Sequence, residues 1–314
     1  MNRLPTSRLL VIAVFSLVFC AFFAQNIMAA NAAPENPLEI KTGVWLINIE
    51  KVDLSANSYR LDFYLWFQYN PSEISLSDVQ KFEFINGAPT MYVVEVNETQ
   101  GYLEYRVRGD FIKTFDFSQY PFETHELAVE IEHKNLDVNS LVFEQDSTSN
   151  IDPEASVAGW NLGGFQTSVT EHSYGEETFS RFVFSVDLQR PALSSFIKTV
   201  LPIAVITTIS LLAFFMAPQN FAQRITLGVT TLLSATAFHL SLLSGIPPTG
   251  YLTFADKMML SVYVIFLFNL SVSVYIMRFV EAKRIDDAVR VCRRSQRFLP
   301  ILIIILIIVQ AVAL

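Results

Sequence analysis

Six residues between Ala217 and Gly245 carry the strongest chemical signal in the chain: Thr226, Thr230, Leu233, Ala237, Leu240 and Ser244. Spacings of four, three, four, three and four put all six on one helical face. The stripe opens with hydroxyls and continues through Leu233, Ala237 and Leu240. A helix wholly surrounded by lipid has no use for two threonines stacked at one end. A helix beside a water-filled path does: hydroxyls hold ions near one mouth, and a leucine ring closes the path by dewetting. The same threonines can instead bond back to their own backbone or join two helices. On spacing alone both readings stand.

Other chemistries find less support. His125 and His133 are eight apart, on one face of a continuous strand, with Glu130 and Glu132 between them. A metal needs three or four convergent ligands, so this pattern predicts no metal site. No nucleophile elbow, phosphate loop or His-Glu-x-x-His is present, which argues against an enzyme and against a bound cofactor. No basic patch lies outside the apolar half, which excludes nucleic acid.

The elements that must position the stripe follow from composition. The chain has 314 residues, 52% of them hydrophobic, as expected of a chain with a membrane half. Its net charge of −8 conceals an asymmetry. Residues 33–189 hold 26 acids against 9 bases, net −17, whereas residues 190–314 hold 4 against 11, net +7. Residues 1–32 read as a signal peptide, with Arg3 and Arg8, an apolar Leu9–Phe23 run and an alanine-rich cleavage site. Export would place residues 33–190 outside the cytoplasm. Cys20 would leave with the signal and Cys292 falls in a predicted cytoplasmic loop, so that domain must hold together by packing alone.

Residues 38–189 alternate short Val-, Ile-, Phe- and Tyr-rich runs with turn signals such as Asn70-Pro71 and Asn86-Gly87. This predicts an all-β, immunoglobulin-like sandwich. The run Phe179–Leu188 passes through Gln189-Arg190-Pro191 into the apolar half without a Gly/Ser linker, so the halves are mechanically coupled. Four transmembrane helices are expected over residues 191–314, at about 194–216, 221–244, 253–279 and 298–314. The loop between the third and fourth holds Lys283, Arg284, Arg290, Arg293, Arg294 and Arg297. The positive-inside rule places it in the cytoplasm, which agrees with the signal peptide.

Phe82-Glu83-Phe84-Ile85-Asn86, Tyr120-Pro121-Phe122-Glu123, Phe179-Ser180-Arg181, Phe221-Ala222-Gln223-Arg224 and Ile246-Pro247-Pro248-Thr249-Gly250-Tyr251 occur in this order. With that topology, the chain resembles the pentameric ligand-gated ion channels (the Cys-loop receptor superfamily), and among them the bacterial members without the loop disulfide. The two cysteine positions of animal receptors fall at Ile112 and Glu126. Gln223 stands before Arg224 where cation-selective relatives usually carry Glu.

The resemblance implies a homopentamer in a bacterial inner (cell) membrane, with a periplasmic or extracellular ligand-binding domain. The stripe would line the pore, with Leu233 as its hydrophobic gate. The acidic outer domain would favour monovalent cations. Asp116, Tyr120, Pro121, Phe122, Glu123 and Arg190 would meet the Pro247-Pro248 turn at a gating interface, with Arg190 paired to Asp116 or Glu123. An agonist would bind near Tyr174 and Phe179 on the Glu171–Phe179 hairpin, with Phe84, Glu132 and Lys134 nearby. Lys134 repels an amine, which makes gating by proton or hydroxide the alternative to a small-molecule agonist. His125, His133 and a mid-membrane His239 are then the candidate sensors. From another class, a non-conducting membrane-anchored binding receptor is the competing reading; a single helix would serve it.

Overall fold

A computed structural model describes residues 37–313, and the side chains of residues 37–310. The signal-peptide expectation therefore lies outside the described residues. Strand β1 spans Leu38–Asp53, β2 Ser58–Gln68, β3 Phe82–Phe84, β4 Thr90–Asn97 and β5 Tyr102–Ile112. A short helix α1, Leu76–Val79, precedes β3. Then come β6 Thr124–His133, β7 Leu141–Gln145, β8 Asn150–Ile151, β9 Asn161–Tyr174 and β10 Glu177–Gln189. Among the described residues these make two sheets. One runs β4-β5-β2-β1-β7, with β8 also on β1; the other runs β3-β6-β10-β9.

Period-two alternation explains why the sheets stack. In β2, Tyr59, Leu61, Phe63, Leu65 and Phe67 are buried on one face, and in β10 Ser180, Phe182, Phe184, Val186 and Leu188 answer them. Phe63, Phe84 and Phe111 meet in the core as tilted and edge-on pairs 5.8–6.3 Å apart. Near the two positions of the missing disulfide, Lys113 donates to Glu126 at 3.1 Å. That exposed pair adds little, so packing holds the sandwich. Gly101 sits at φ +67° in the β4–β5 turn, where its carbonyl accepts the Tyr69 amide at 2.8 Å and no space is left for a Cβ.

The helices are α2 Ala192–Leu211, α3 Phe221–Leu243, α4 Phe254–Glu281 and α5 Ile285–Ala313. The first two are joined by short 3-10 turns. Among the described residues, Ala192–Phe215, Pro218–Leu243 and Phe254–Glu281 are long and apolar enough to cross a membrane. The fourth helix begins at Ile285 rather than near 298. Its basic segment is helical, because Asp286 and Asp287 suit a helix N-terminus and Arg284 and Arg290 pair with Asp287. What reads in the sequence as a long loop is a tight turn with Lys283 at φ +59°.

Polar ties cross the bundle. Asn269 of α4 donates to the Ser210 carbonyl at 2.7 Å and to its hydroxyl at 3.0 Å. Gln310 of α5 donates to the Lys257 carbonyl at 2.9 Å. The sandwich core does not stop at the junction: Ile246 and Ala255, from the α3–α4 turn and the start of α4, belong to the same apolar cluster as Phe115, Phe117 and Tyr120.

Candidate functional site

The α3 stripe comes first. Arg224, Gly228, Thr231 and Ala235 form the buried face of α3. Gly228 faces Leu270 of α4, where an added Cβ would lie 3.6 Å from the leucine side chain, an ordinary contact. All six stripe residues lie on the exposed remainder of the helix. Leu233 is 66% and Leu240 68% exposed, large values for leucine in a packed bundle. Thr231, Ser234 and Thr236 bond back to their own helix, whereas Thr226 and Thr230 make no such bond among the described residues. Their hydroxyls are therefore left for something outside this subunit.

Arg224 points the other way. It is fully buried, 3.4 Å from the Met216 carbonyl and 3.6 Å from the Cys292 sulfur, with Phe214 under its guanidinium. The end of the stripe nearest Arg224 is thus uncharged.

The junction is built by the loop between β5 and β6. The Tyr120 hydroxyl donates to the Leu242 carbonyl, near the end of α3, at 2.9 Å. The Phe254 amide donates to Ser118 at 2.8 Å and the Ala255 amide to Tyr120 at 3.1 Å. Phe122 packs edge-on against Phe254 at 5.8 Å. Tyr251 donates to Asp116 at 3.2 Å and accepts the Phe117 amide at 2.8 Å. Pro121 follows Tyr120 through a cis peptide bond, and Pro247 and Pro248 sit in the turn beside Tyr251.

Of the two acids expected for Arg190, the structure selects Glu123, with Nε 2.5 Å from Oε1. Asp116 caps Ser118 instead, and the Ser118 amide holds its carboxyl below the usual range. Arg190 also lies over Trp160 at 4.6 Å and Tyr120 at 5.4 Å. The Glu123 side chain is 2% exposed. Burial pushes its carboxyl up, but His125 and Arg190 outweigh burial and hold it below the usual range. His125 is buried among Phe115, Phe117 and Trp160, with Nε2 3.7 Å from the same Glu123 oxygen. The sequence names Glu123 and His125 separately; their adjacency comes from the extended chain entering β6, which buries 123 and 125 and exposes 124.

His133 has a different setting. It lies in the core, not on a surface strand. Its Nδ1 accepts the Asn135 and Leu136 amides at 3.2 and 2.9 Å, which leaves Nε2 as a donor to the Asp78 carbonyl at 3.0 Å. That pattern fixes a neutral ring, and burial lowers its pKa. His133 therefore braces α1 against β6.

His239 lies one turn from the C-terminal end of α3 rather than near the middle of that helix. Nε2 meets Asp256 at 2.9 Å and Nδ1 the Tyr263 hydroxyl at 3.1 Å, both side chains of α4. Asp256 also closes a capping box with Thr253.

The hairpin cluster is only partly as expected. Tyr174 is 49% exposed, 5.9 Å from Phe179 and 4.4 Å from His172. Glu132 is not open to a ligand: it is buried and accepts from Arg181 at 2.6 Å, while Arg181 also reaches Glu130 at 2.8 Å and the Tyr174 hydroxyl at 3.2 Å. Phe84 belongs to the sandwich core. Lys134 is exposed at the end of β6. Arg181, which the sequence reading quoted only as part of a motif, organises this cluster.

Residues 199–304 match the family model described as the neurotransmitter-gated ion-channel transmembrane region. A proton-gated ion channel of Gloeobacter violaceus is 22% identical over 258 residues, 74% of this chain and 71% of that protein. The gamma-aminobutyric acid receptor subunit pi of Bos taurus is 26% identical over 158 residues, 49% of this chain and 36% of its own length. The pH-sensitive chloride channel 2 of Drosophila melanogaster is 27% identical over 175 residues, 52% of this chain and 33% of its own.

Proposed function

Because the chain belongs to the pentameric ligand-gated ion channels of the Cys-loop superfamily, we propose that it forms a homopentameric cation channel opened by pH or by a small ligand at the outer domain. Five copies of α3 would ring one axis with Thr226, Thr230, Leu233, Ala237, Leu240 and Ser244 turned inward. The observation that carries this reading is the division of α3 into a buried face and an opposite face on which Leu233 and Leu240 are exposed and the Thr226 and Thr230 hydroxyls make no hydrogen bond among the described residues. Leu233 then forms the hydrophobic constriction, with the hydroxyl rings on its inner side.

Two features support cations. The sandwich carries the acid excess of −17, which raises local cation concentration above the pore. Arg224 is turned into the bundle and places no positive charge on the stripe. One similar protein is named a chloride channel, so selectivity is a property to measure.

Two junctional clusters suit pH gating. Protonation of His125 or Glu123 alters the charge pairing of Arg190, and protonation of His239 alters its bond to Asp256. Both clusters lie where the sandwich loop holds α3 and α4, so a proton there redistributes contacts at the pore helix end. A small ligand would instead engage Tyr174 and Phe179, beside Arg181. In the cell the sandwich faces outward and residues 1–32 serve as signal.

The test is current through planar bilayers carrying the purified protein while outer pH is stepped from acid to alkaline. The wild type is expected to conduct reversibly, and Leu233→Thr to open more readily or leak. Silence of both proteins at every pH and with every small-molecule class tried would sink the channel reading.

A further inference from the structure

A cavity of about 370 Å³ opens where the sandwich meets α2 and α3. Among the described residues no acidic side chain lines it, whereas Arg190 and Lys198 do. Arg190 spends only its Nε on Glu123; its two Nη groups make no hydrogen bond among the described residues. Lys198 has no acidic partner within ion-pair distance among the described residues. The wall adds the hydroxyls of Ser194, Ser195, Thr199 and Ser241. Thr199 is 3% exposed and lines the cavity, and its hydroxyl makes no hydrogen bond among the described residues. The residue is thus packed in while its hydroxyl stays open to the cavity as a donor and acceptor.

The backbone contributes as well. Helix α2 is 20 residues long and starts at this cavity. Its cap, Pro191, offers no side-chain bond, and no acid stands in the first turn. The amides of Ala192, Leu193 and Ser194 therefore have no side-chain acceptor, at the positive end of the helix. Immediately along the same turns, Leu193, Phe196 and Ile197 are 73%, 51% and 48% exposed. Cationic side chains, free hydroxyls and free amides thus border an apolar face that suits acyl chains.

We propose that this cavity binds an anionic phosphate ester, whose oxygens accept from Lys198, Thr199, the serines and the α2 amides. Its source is either a lipid headgroup, with chains laid over Leu193 and Phe196, or a free phosphate ester from solution. Occupancy ties α2 to Ser241 of the pore helix and to Arg190 of the sandwich, and so bears on the junction itself. The proposal rests on insertion of the helices in a bilayer and not on conduction.

The test uses the full-length protein in neutral detergent and reads the melting temperature against added dihexanoyl phosphatidylglycerol, glycerol phosphate, or uncharged dihexanoylglycerol. The expected result is a saturable rise with phosphatidylglycerol and none with dihexanoylglycerol. Lys198→Gln weakens the apparent affinity about tenfold, the size of one charge-assisted contact, and Lys198→Arg retains it. Saturation by glycerol phosphate at similar concentration assigns a free phosphate ester; silence of glycerol phosphate assigns the lipid. No saturable rise with either phosphate compound, or equal affinity in wild type and Lys198→Gln, overturns the proposal. Should Lys198→Gln fold poorly, Ser241→Ala is measured in its place with the same criteria. A chain that never conducts leaves this result readable, because no arm depends on current.

Discussion

The Glu123–Arg190 pair offers the sharpest test of how the sandwich grips the helices. Glu123 is 2% and Arg190 24% exposed in their side chains, at 2.5 Å. Breaking a fully buried pair costs about 3–5 kcal/mol, because one charge is left without a partner. Arg190 retains solvent contact and the faces of Trp160 and Tyr120, so its share is smaller. Glu123→Gln is accordingly expected to cost about 1.5–3 kcal/mol, the range of a hydrogen bond to a charged group. Arg190→Gln costs more, since it strands the buried carboxylate with only His125 nearby. A double-mutant cycle on unfolding of the full-length protein in detergent is expected to give a coupling above about 1 kcal/mol. The pH dependence has a definite sign. The folded-state pKa of Glu123 is below its unfolded value, so its contribution is fully present above the unfolded pKa, about 4.3, and is lost as pH falls through the folded one. The gap between wild type and Glu123→Gln should therefore close in acid. A coupling within about 0.5 kcal/mol of zero, the additivity expected of independent sites, would refute the reasoning.

Further outcomes follow from the same geometry. Thr226→Val is expected to change single-channel current, whereas Thr231→Val, on the buried face, leaves it unchanged; equal effects would contradict the assignment of faces. Gly101→Ala is expected to destabilise by about 2 kcal/mol or more in thermal melts, because alanine pays for left-handed backbone and its Cβ would fall 1.9 Å from the Tyr69 carbonyl oxygen. His133 is held neutral, with its pKa below 6.5, so its contribution is full above that pH and declines as pH falls below it. Melting temperatures between pH 7 and pH 5 should fall less steeply in His133→Gln than in the wild type.

The sandwich was legible because β2 and β10 alternate cleanly, and α3 because its stripe keeps a helical period. The short strands β3, β7 and β8 gave no period of their own; their pairing with β6 and β1 makes them strands. The basic run before Phe298 reads as a loop because charge obscures helix propensity, which local Asp–Arg pairs then reveal. At the site, Glu123 and Arg190 could be named from their positions at the domain boundary, but choosing between Glu123 and Asp116 required the fold. Glu132 was misread for a related reason. An acid near an aromatic hairpin suggests a ligand partner, and only the cross-strand register places Arg181 opposite it. His133 likewise gives no hint in sequence of the two amides that fix its tautomer.

The shared apolar cluster at the junction bears on modular exchange. Ile246 and Ala255 close the sandwich from below, and Tyr120 and Phe122 lean on α3 and α4 in return. Cutting the chain at Gln189 would divide the covalent thread but not the hydrophobic interior. A soluble fragment made that way would present a wet, unsealed floor, prone to stick to its own kind. A chimera that grafts this outer half onto foreign helices would have to bring the α3–α4 turn along, so the unit that can be transplanted is not contiguous in sequence.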